Sequence, residues 1–442
     1  MSRSRRGRFA TVTTAFIALA LGITACGNAK TVTSSGGSGA PGVTATQIKV
    51  GSIADVTGPL SSGFAPIVNG VEAYFSMINA EGGVDGRTIK LAYQEDDQGS
   101  PTVDLTVAQQ LVHNNVFAVV GVATPFFGGA KYLAQQGMPT FGYAVSTDYA
   151  DKPSMFADYG SVLCFPCGAP GDAYLAQQLG AQSIAVVAYG VPQSAAACSA
   201  AVTGMRAAGL NVSFTDLNLV YGGDPTPDVL QMKAKNVDLL FTCLDVNGNV
   251  GFARAISQNS LTMKQVWFNG YDRGTLAQYG SIMNGVYFGL EHVPFEAALA
   301  YPGKYPGLDT YIKEMQKYQP SDTYEEVSLD GWMAADQFVT GLKAVGKNLT
   351  QKKLVTALNK ETDYNGAGLT APVNWTKSHF GSPPPYCQAE VQVIAGHFVP
   401  AFVHPNGQVF TCFDLHSDTP VPPLPGTPGP LGSSGSSGSN GT

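Results

Sequence analysis

Six cysteines lie beyond residue 100, at Cys164, Cys167, Cys198, Cys243, Cys387 and Cys412, and a seventh, Cys26, lies near the N-terminus. Thiols in this number can ligate metal or pair with one another. Cys164-Phe165-Pro166-Cys167 has the spacing of a zinc half-site that Cys198 and Cys243 could complete, but a second close-spaced pair is lacking. An even count outside the cytoplasm favours disulfides. Cys387 with Cys412 is the tempting pair, although a meander turning at Gly396 and Asn406-Gly407 would set them near opposite ends of its strands. The six histidines, His113, His292, His379, His397, His404 and His416, offer no two-ligand spacing on one helix. Residues 341–348 nearly spell a phosphate loop, but Asn348 stands where Ser or Thr would hold magnesium, and a helical pattern precedes it. Asp96-Asp97 and Glu325-Glu326 read as solvated turns or helix N-terminal charges. The chemistry on offer is binding, with no cofactor and no metal expected.

Compartment follows from the N-terminus. Arg3, Arg5, Arg6 and Arg8 precede an apolar stretch over 9–25, and Ile23-Thr24-Ala25-Cys26 closes it, the layout of an export signal. These residues resemble the lipobox of bacterial lipoproteins, which implies that Cys26 becomes the lipid-modified first residue of the mature chain. Ser4-Arg5-Arg6-Gly7-Arg8-Phe9 also resembles a twin-arginine signal, so the export route stays open. Residues 27–42 are rich in Gly, Ser and Thr and suit a leash. Within them 37–42 match a dinucleotide fingerprint only on paper, because no strand precedes and Pro41 stands where a helix should open. Past Asp418, a Pro/Gly/Ser run is too poor in apolar residues to offset its ordering entropy and is expected to be disordered.

The remainder is globular. Hydrophobic residues make up 44% and charged ones 13% of 442 residues, too apolar for disorder and too long for one core. A formal charge of −7, more negative once the Arg-rich leader is removed, is a poor match to phosphate backbones and sets nucleic acid aside as a partner.

Strand-like runs alternate with helical periodicity. Strands are expected over 48–53, 88–94, 117–120 and 139–141, with helices over 66–80, 101–114 and 128–136. A second series follows, with strands over 184–188, 212–217, 237–242, 266–268 and 285–289 and helices over 172–179, 194–208, 227–235 and 248–258. Such alternation builds parallel sheets covered by helices on both faces, here as two Rossmann-like α/β lobes. Later helices over 308–318, 328–344 and 352–359 and strands over 389–394 and 397–403 are too few for a third domain. They are expected to be shared between the lobes, so that the chain crosses more than once through a multi-strand hinge. The expected division is a signal peptide over 1–25, lipidated Cys and linker over 26–45, and lobe 1 over 46–163 with roughly 290–345. Lobe 2 is expected over 164–289 with roughly 346–418, and the tail over 419–442. Ligands of open parallel sheets sit beyond the carboxyl ends of the strands, so a small molecule would lie between the two lobes.

From about Ile48 to Val403 the pattern resembles the type I periplasmic solute-binding proteins, in the branched-chain amino-acid-binding group of ABC importers. The resemblance is carried by Ile48-Lys49-Val50-Gly51, Thr57-Gly58-Pro59-Leu60, Asn69-Gly70-Val71-Glu72, 78–87 (INAEGGVDGR), Asp96-Asp97 and Val119-Val120-Gly121, in that order and spacing. It implies a monomeric receptor tethered to the outer face of the bacterial cell membrane by its lipid alone. Such a receptor closes two lobes over a small organic solute, performs no chemistry on it and hands it to a permease with its ATPase subunits. A ligand-sensing extracellular receptor domain of the same fold is the alternative. The family's serine pair falls on Thr124 and Pro125, and Pro has neither N–H nor hydroxyl to hold a carboxylate. Ser146 matches a later hydroxyl position, and Asp272 matches the acid that receives a ligand ammonium, or else caps the following helix. An aromatic position falls on Gly63 with Phe64 beside it, and Phe126, Phe127 and Tyr143 gather at the same edge, implying a more apolar or larger pocket than an amino-acid site.

Overall fold

The computed structural model describes residues 39–143, 145, 147–160, 169–322, 324–379 and 386–413. Cys26, Ser146, Cys164, Cys167 and the 419–442 tail, each the subject of an expectation above, lie outside the described residues.

The first βα series comprises β1 (Gln47–Ala54), α1 (Ile67–Ala80), β2 (Thr88–Asp96), α2 (Pro101–His113), β3 (Val119–Ala123), α3 (Ala130–Gln135), β4 (Thr140–Gly142) and β5 (Met155–Ala157). Its five strands are parallel in the order β2-β1-β3-β4-β5. All five residues of β3 are buried, as in a sheet covered on both faces. The strand expected over 117–120 begins at Val119. Phe117 and Ala118 are buried apolar residues too, but the register with β1 opens only at Gly51 opposite Val119.

The second series runs α4 (Pro170–Gln178), β6 (Ile184–Tyr189), α5 (Pro192–Ala207), β7 (Val212–Leu219), α6 (Thr226–Ala234), β8 (Leu239–Cys243), α7 (Val246–Gln258), β9 (Lys264–Trp267), α8 (Arg273–Met283) and β10 (Tyr287–Leu290). Short α9 (Ala297–Ala300) leads to α10 (Pro306–Tyr318), α11 (Glu326–Val345), α12 (Gln351–Leu358) and α13 (Trp375–Ser378). The described chain then ends with β11 (Tyr386–Ile394), β12 (His397–Ala401) and β13 (Thr411–Phe413). The second sheet has the order β12-β11-β10-β9-β8-β6-β7; β6 to β10 are parallel, and β11 and β12 extend the sheet antiparallel.

The chain crosses between sheets after β5, returns after β10, and crosses again before β11. Helix α11 lies on the first sheet against α1, where Gly70 and Gly331 let the backbones touch: a Cβ on Gly70 would collide with the Ser328 carbonyl and stand 2.6 Å from the Trp332 nitrogen. Helix α12 also belongs to the first lobe, through Gln351 Nε2 donating to the Phe117 carbonyl at 3.0 Å and Asn359 Nδ2 to that of Pro153 at 2.8 Å. Against the expectation that residues from 346 onward join the second lobe, α12 packs on the first, and β11 and β12 extend the second sheet. The reason is that lobe membership here is set by where the last crossing falls, which no local pattern marks.

Cys198 and Cys243 form a disulfide joining α5 to the end of β8, which takes two of the four thiols that the zinc alternative needed. Cys387 and Cys412 form another. The objection drawn from the meander is removed by β13, which returns past β12 to pair with the opposite half of β11 and sets Cys412 directly across from Cys387.

Candidate functional site

Each lobe reverses its winding once. In the first sheet β2 and β3 flank β1, and in the second β7 and β8 flank β6, so the chain leaves the central strand in opposite directions. The loops that part there leave a crevice at the carboxyl ends, the usual ligand position in doubly wound sheets. In lobe 1 the parting loops are the one after β1, from Asp55, and the one after β3, Thr124-Pro125-Phe126. In lobe 2 they are 190–194 after β6 and Leu244-Asp245 after β8. The two crevices meet: Gln193 Nε2, in the first turn of α5, donates to the Pro125 carbonyl at 3.1 Å.

The wall from lobe 1 is largely apolar. Phe64 follows a short helical turn at Ser61–Gly63, and its ring centroid lies 6.4 Å from that of Tyr143, just past β4. Both pack with Val68 and Val327 over Ala54, Ile67 and Ala123. Thr124 is buried, and its Oγ1 accepts from the Phe126 N–H at 3.2 Å, so its hydroxyl shapes the turn. Phe126 is half-buried, whereas Phe127 is buried against Tyr149 inside the lobe and does not reach the crevice. Tyr143 keeps its proton, since burial first and then the charges of Glu326 and Asp330 push its pKa well up.

From lobe 2, Tyr189 donates to Asp245 Oδ1 at 2.7 Å and Tyr221 to Oδ2 at 3.3 Å, fixing a polar aromatic pair at the ends of β6 and β7. Asp272 begins α8: Oδ1 accepts from Gly274 N–H at 3.0 Å and Oδ2 from Thr275 N–H at 2.6 Å. Its carboxylate thus caps the helix. Neighbouring Arg273 lies 4.0 Å over the Tyr324 ring and 3.5 Å from Glu296.

Where the chain crosses, acidic groups from both sides gather. Asp158, after β5, and Asp330, on α11, are buried; Tyr159 Oη donates to Asp330 Oδ1 at 2.8 Å. Burial drives both carboxyls well above the usual range, and at Asp330 the charge of Asp158 adds to the shift. Glu291, after β10, is raised to about 7 by burial and then by Glu326. His292 Nε2 lies 3.5 Å from Glu326 Oε1. Burial opposes its charged form, but the hydrogen bond and charge of Glu326 outweigh this and raise its pKa. Sequence reasoning missed Gln193, Tyr189, Asp245, Asp158 and Glu291. For the first three the signal was available, since each stands at or just past a strand that the pattern had located.

The sequence profile of the periplasmic binding protein family matches residues 47–392. Over 124 residues the chain is 28% identical to a Leu/Ile/Val-binding protein homologue of Brucella melitensis, a match that covers 28% of this chain and 33% of that protein. The fold is shared with a fatty acid ABC transporter substrate-binding protein from Thermomonospora curvata, at a TM-score of 0.69 and 19% identity over 87% of this chain and 97% of the other. It is shared also with an R. palustris solute-binding protein solved with benzoate, at 0.67 and 16% over 83% and 98%. A leucine binding protein from Thermotoga maritima gives 0.65 and 13% over 80% and 97%. Among the described residues no helix is long and apolar enough to cross a membrane. Two α/β lobes joined by repeated crossings, together with a family match across most of the chain, lead to one assignment: the chain belongs to the periplasmic binding proteins, solute-binding rather than enzymatic.

Proposed function

We propose that the chain is the solute receptor of an ABC importer, exported and held at the outer face of the cell membrane by a lipid on Cys26. It captures one small organic molecule between its lobes and passes it to a permease driven by ATPase subunits. The observation that carries this reading is the hydrogen bond from Gln193 to Pro125, which sets the two winding-reversal crevices face to face. Solute contacts made to both lobes stabilise the closed arrangement over the open one, and the permease reads that difference.

The guest we infer has an apolar or aromatic body and one polar head. Phe64, Tyr143, Pro125 and Phe126 supply an apolar wall, Pro125 withholds the N–H that a second carboxylate anchor would need, and Asp272 spends both oxygens on its helix. Ser146 remains a candidate for the head group.

Native mass spectrometry of whatever co-purifies, followed by calorimetry with that compound and with panels of amino acids and aromatic acids, tests the proposal. One solute bound per chain, with a smaller radius of gyration on binding, is expected. A chain that carries nothing, binds no member of either panel and keeps one radius throughout overturns it.

A further inference from the structure

The carboxyl ends of β1 and β2 bring three aspartates together. Ala54 pairs with Asp96, so Asp55 on one strand end meets Asp96 and Asp97 on the other, and one carboxylate oxygen from each lies within 4.8 Å of the others. Asp96 is hydrogen-bonded through both oxygens: Oδ1 accepts from the N–H groups of Val56 and Gln98 at 3.0 and 2.9 Å, and Oδ2 from Thr57 Oγ1 at 2.6 Å, which leaves Oδ2 a lone pair. The other two are not. Asp55 and Asp97 are each 0% exposed; each uses Oδ1 on a backbone N–H, of Gly58 at 2.6 Å and Gly99 at 2.9 Å, and each leaves a buried Oδ2 without a hydrogen-bond partner.

The free oxygen of Asp55 points at the 97–99 turn. A Cβ on Gly99, whose φ is +63°, would stand 2.9 Å from it, so the turn leaves room beside that oxygen. Asp104, also 0% exposed, adds a fourth carboxyl within hydrogen-bond reach of Asp97, its Oδ1 held by Gly129 N–H at 2.6 Å. Among the described residues no Lys, Arg or His forms an ion pair with any of the four. Buried carboxylates so placed need shared protons or a cation. A single cation answers Asp55 and Asp97 together. The donors are all hard oxygens, the ligand type that calcium takes.

We propose that Asp55, Asp96 and Asp97 bind a calcium ion that ties the ends of β1 and β2 and braces the loop from Thr57 that carries Phe64 to the solute crevice. This does not depend on what the crevice binds. The test is calorimetric titration of the EDTA-treated full chain with CaCl2, with Tm recorded in parallel. One saturable site is expected, with a dissociation constant of about 10 µM to 1 mM and a higher Tm at saturation. Asp55→Asn and Asp97→Asn, each nearly isosteric, should weaken binding at least about tenfold, since each removes a charged ligand. In EDTA their Tm should equal or exceed that of the unsubstituted chain, because each removes a buried charge without changing shape. A titration of the unsubstituted chain showing neither saturable heat nor a Tm shift up to about 10 mM, well above the weakest extracellular sites, overturns the proposal whatever the variants do. So does Asp55→Asn binding calcium as tightly as the unsubstituted chain.

Discussion

Gln193 reaches across from lobe 2 to donate to the carbonyl of Pro125 in lobe 1, 68 positions away in sequence and 3.1 Å in space. The acceptor is a backbone atom of a residue that cannot itself donate, at the winding reversal of its sheet; the donor is a long amide side chain at the reversal of the other. This bond exists only while the lobes are together, so it measures closure.

Gln193→Ala is therefore predicted to favour the open arrangement without unfolding either lobe. A neutral hydrogen bond contributes about 1 kcal/mol, or about fivefold in an equilibrium constant. X-ray scattering of the unliganded variant should show a larger radius of gyration, and solute affinity should fall by about that factor. An unchanged radius and affinity would remove Gln193 from the closure mechanism.

The crossing region predicts a pH dependence. Glu291 is held at about 7 by burial and then by Glu326, and Glu326 lifts His292 above its ordinary 6.5 against the effect of burial. Both groups bind protons more tightly in the folded chain, so both contribute stability in acid that is lost as pH rises; for Glu291 the loss falls between 4.5 and about 7. Tm should decline across that interval, and in Glu291→Gln the decline should be shallower. Parallel curves for the two proteins would show that Glu291 does not titrate as described.

These two cases mark what the sequence made legible. Alternation of Val- and Ile-rich runs with helical periodicity located the parallel strands, because strands buried on both faces and amphipathic helices differ in pattern. It passed over β5, three residues long, and gave no span to the helix after Asp272, α8, where Met283 alone is buried and no apolar stripe forms. Thr124 and Pro125 came from the family resemblance, and they stand just past β3. Asp158 and Glu291 could not be placed, since crossings bring them together. Asp97 misled for a related reason: an Asp-Asp pair reads as a solvated turn, yet Asp97 is fully buried beneath the ends of β1 and β2.

The two disulfides among the described residues should differ in their response to reductant. Cys198 and Cys243 are 0% and 6% exposed, whereas Cys412 is half-buried beside Cys387. Mild reduction followed by alkylation and mass spectrometry is expected to label Cys387 and Cys412 first, with Cys198 and Cys243 labelled only on unfolding. Replacing Cys198 and Cys243 together by Ala opens a loop closed across 45 positions and should lower stability by about 3–4 kcal/mol on the chain-entropy estimate. Labelling in the reverse order would contradict this account.

Two glycines in helix interiors should respond in opposite directions to the same substitution. Gly251 lies inside α7, where an added Cβ would meet only Pro225 Cγ, at 3.9 Å. Helix propensity then decides, and Gly251→Ala should raise stability by up to about 1 kcal/mol. Gly331 lies inside α11, where the same Cβ would collide with the Ile67 carbonyl and meet Ile67 Cγ1 at 3.1 Å. Backbone cannot swing aside as a flexible side chain can, so α1 and α11 must separate. Overpacking costs about 1–3 kcal/mol, which outweighs the gain in propensity, and Gly331→Ala should be less stable than the unsubstituted chain in urea. Because α11 also carries Asp330 and Val327, the shift should reach the apolar wall of the crevice and weaken solute binding. Stability gains from both substitutions would mean that the contact between α1 and α11 is looser than these distances imply.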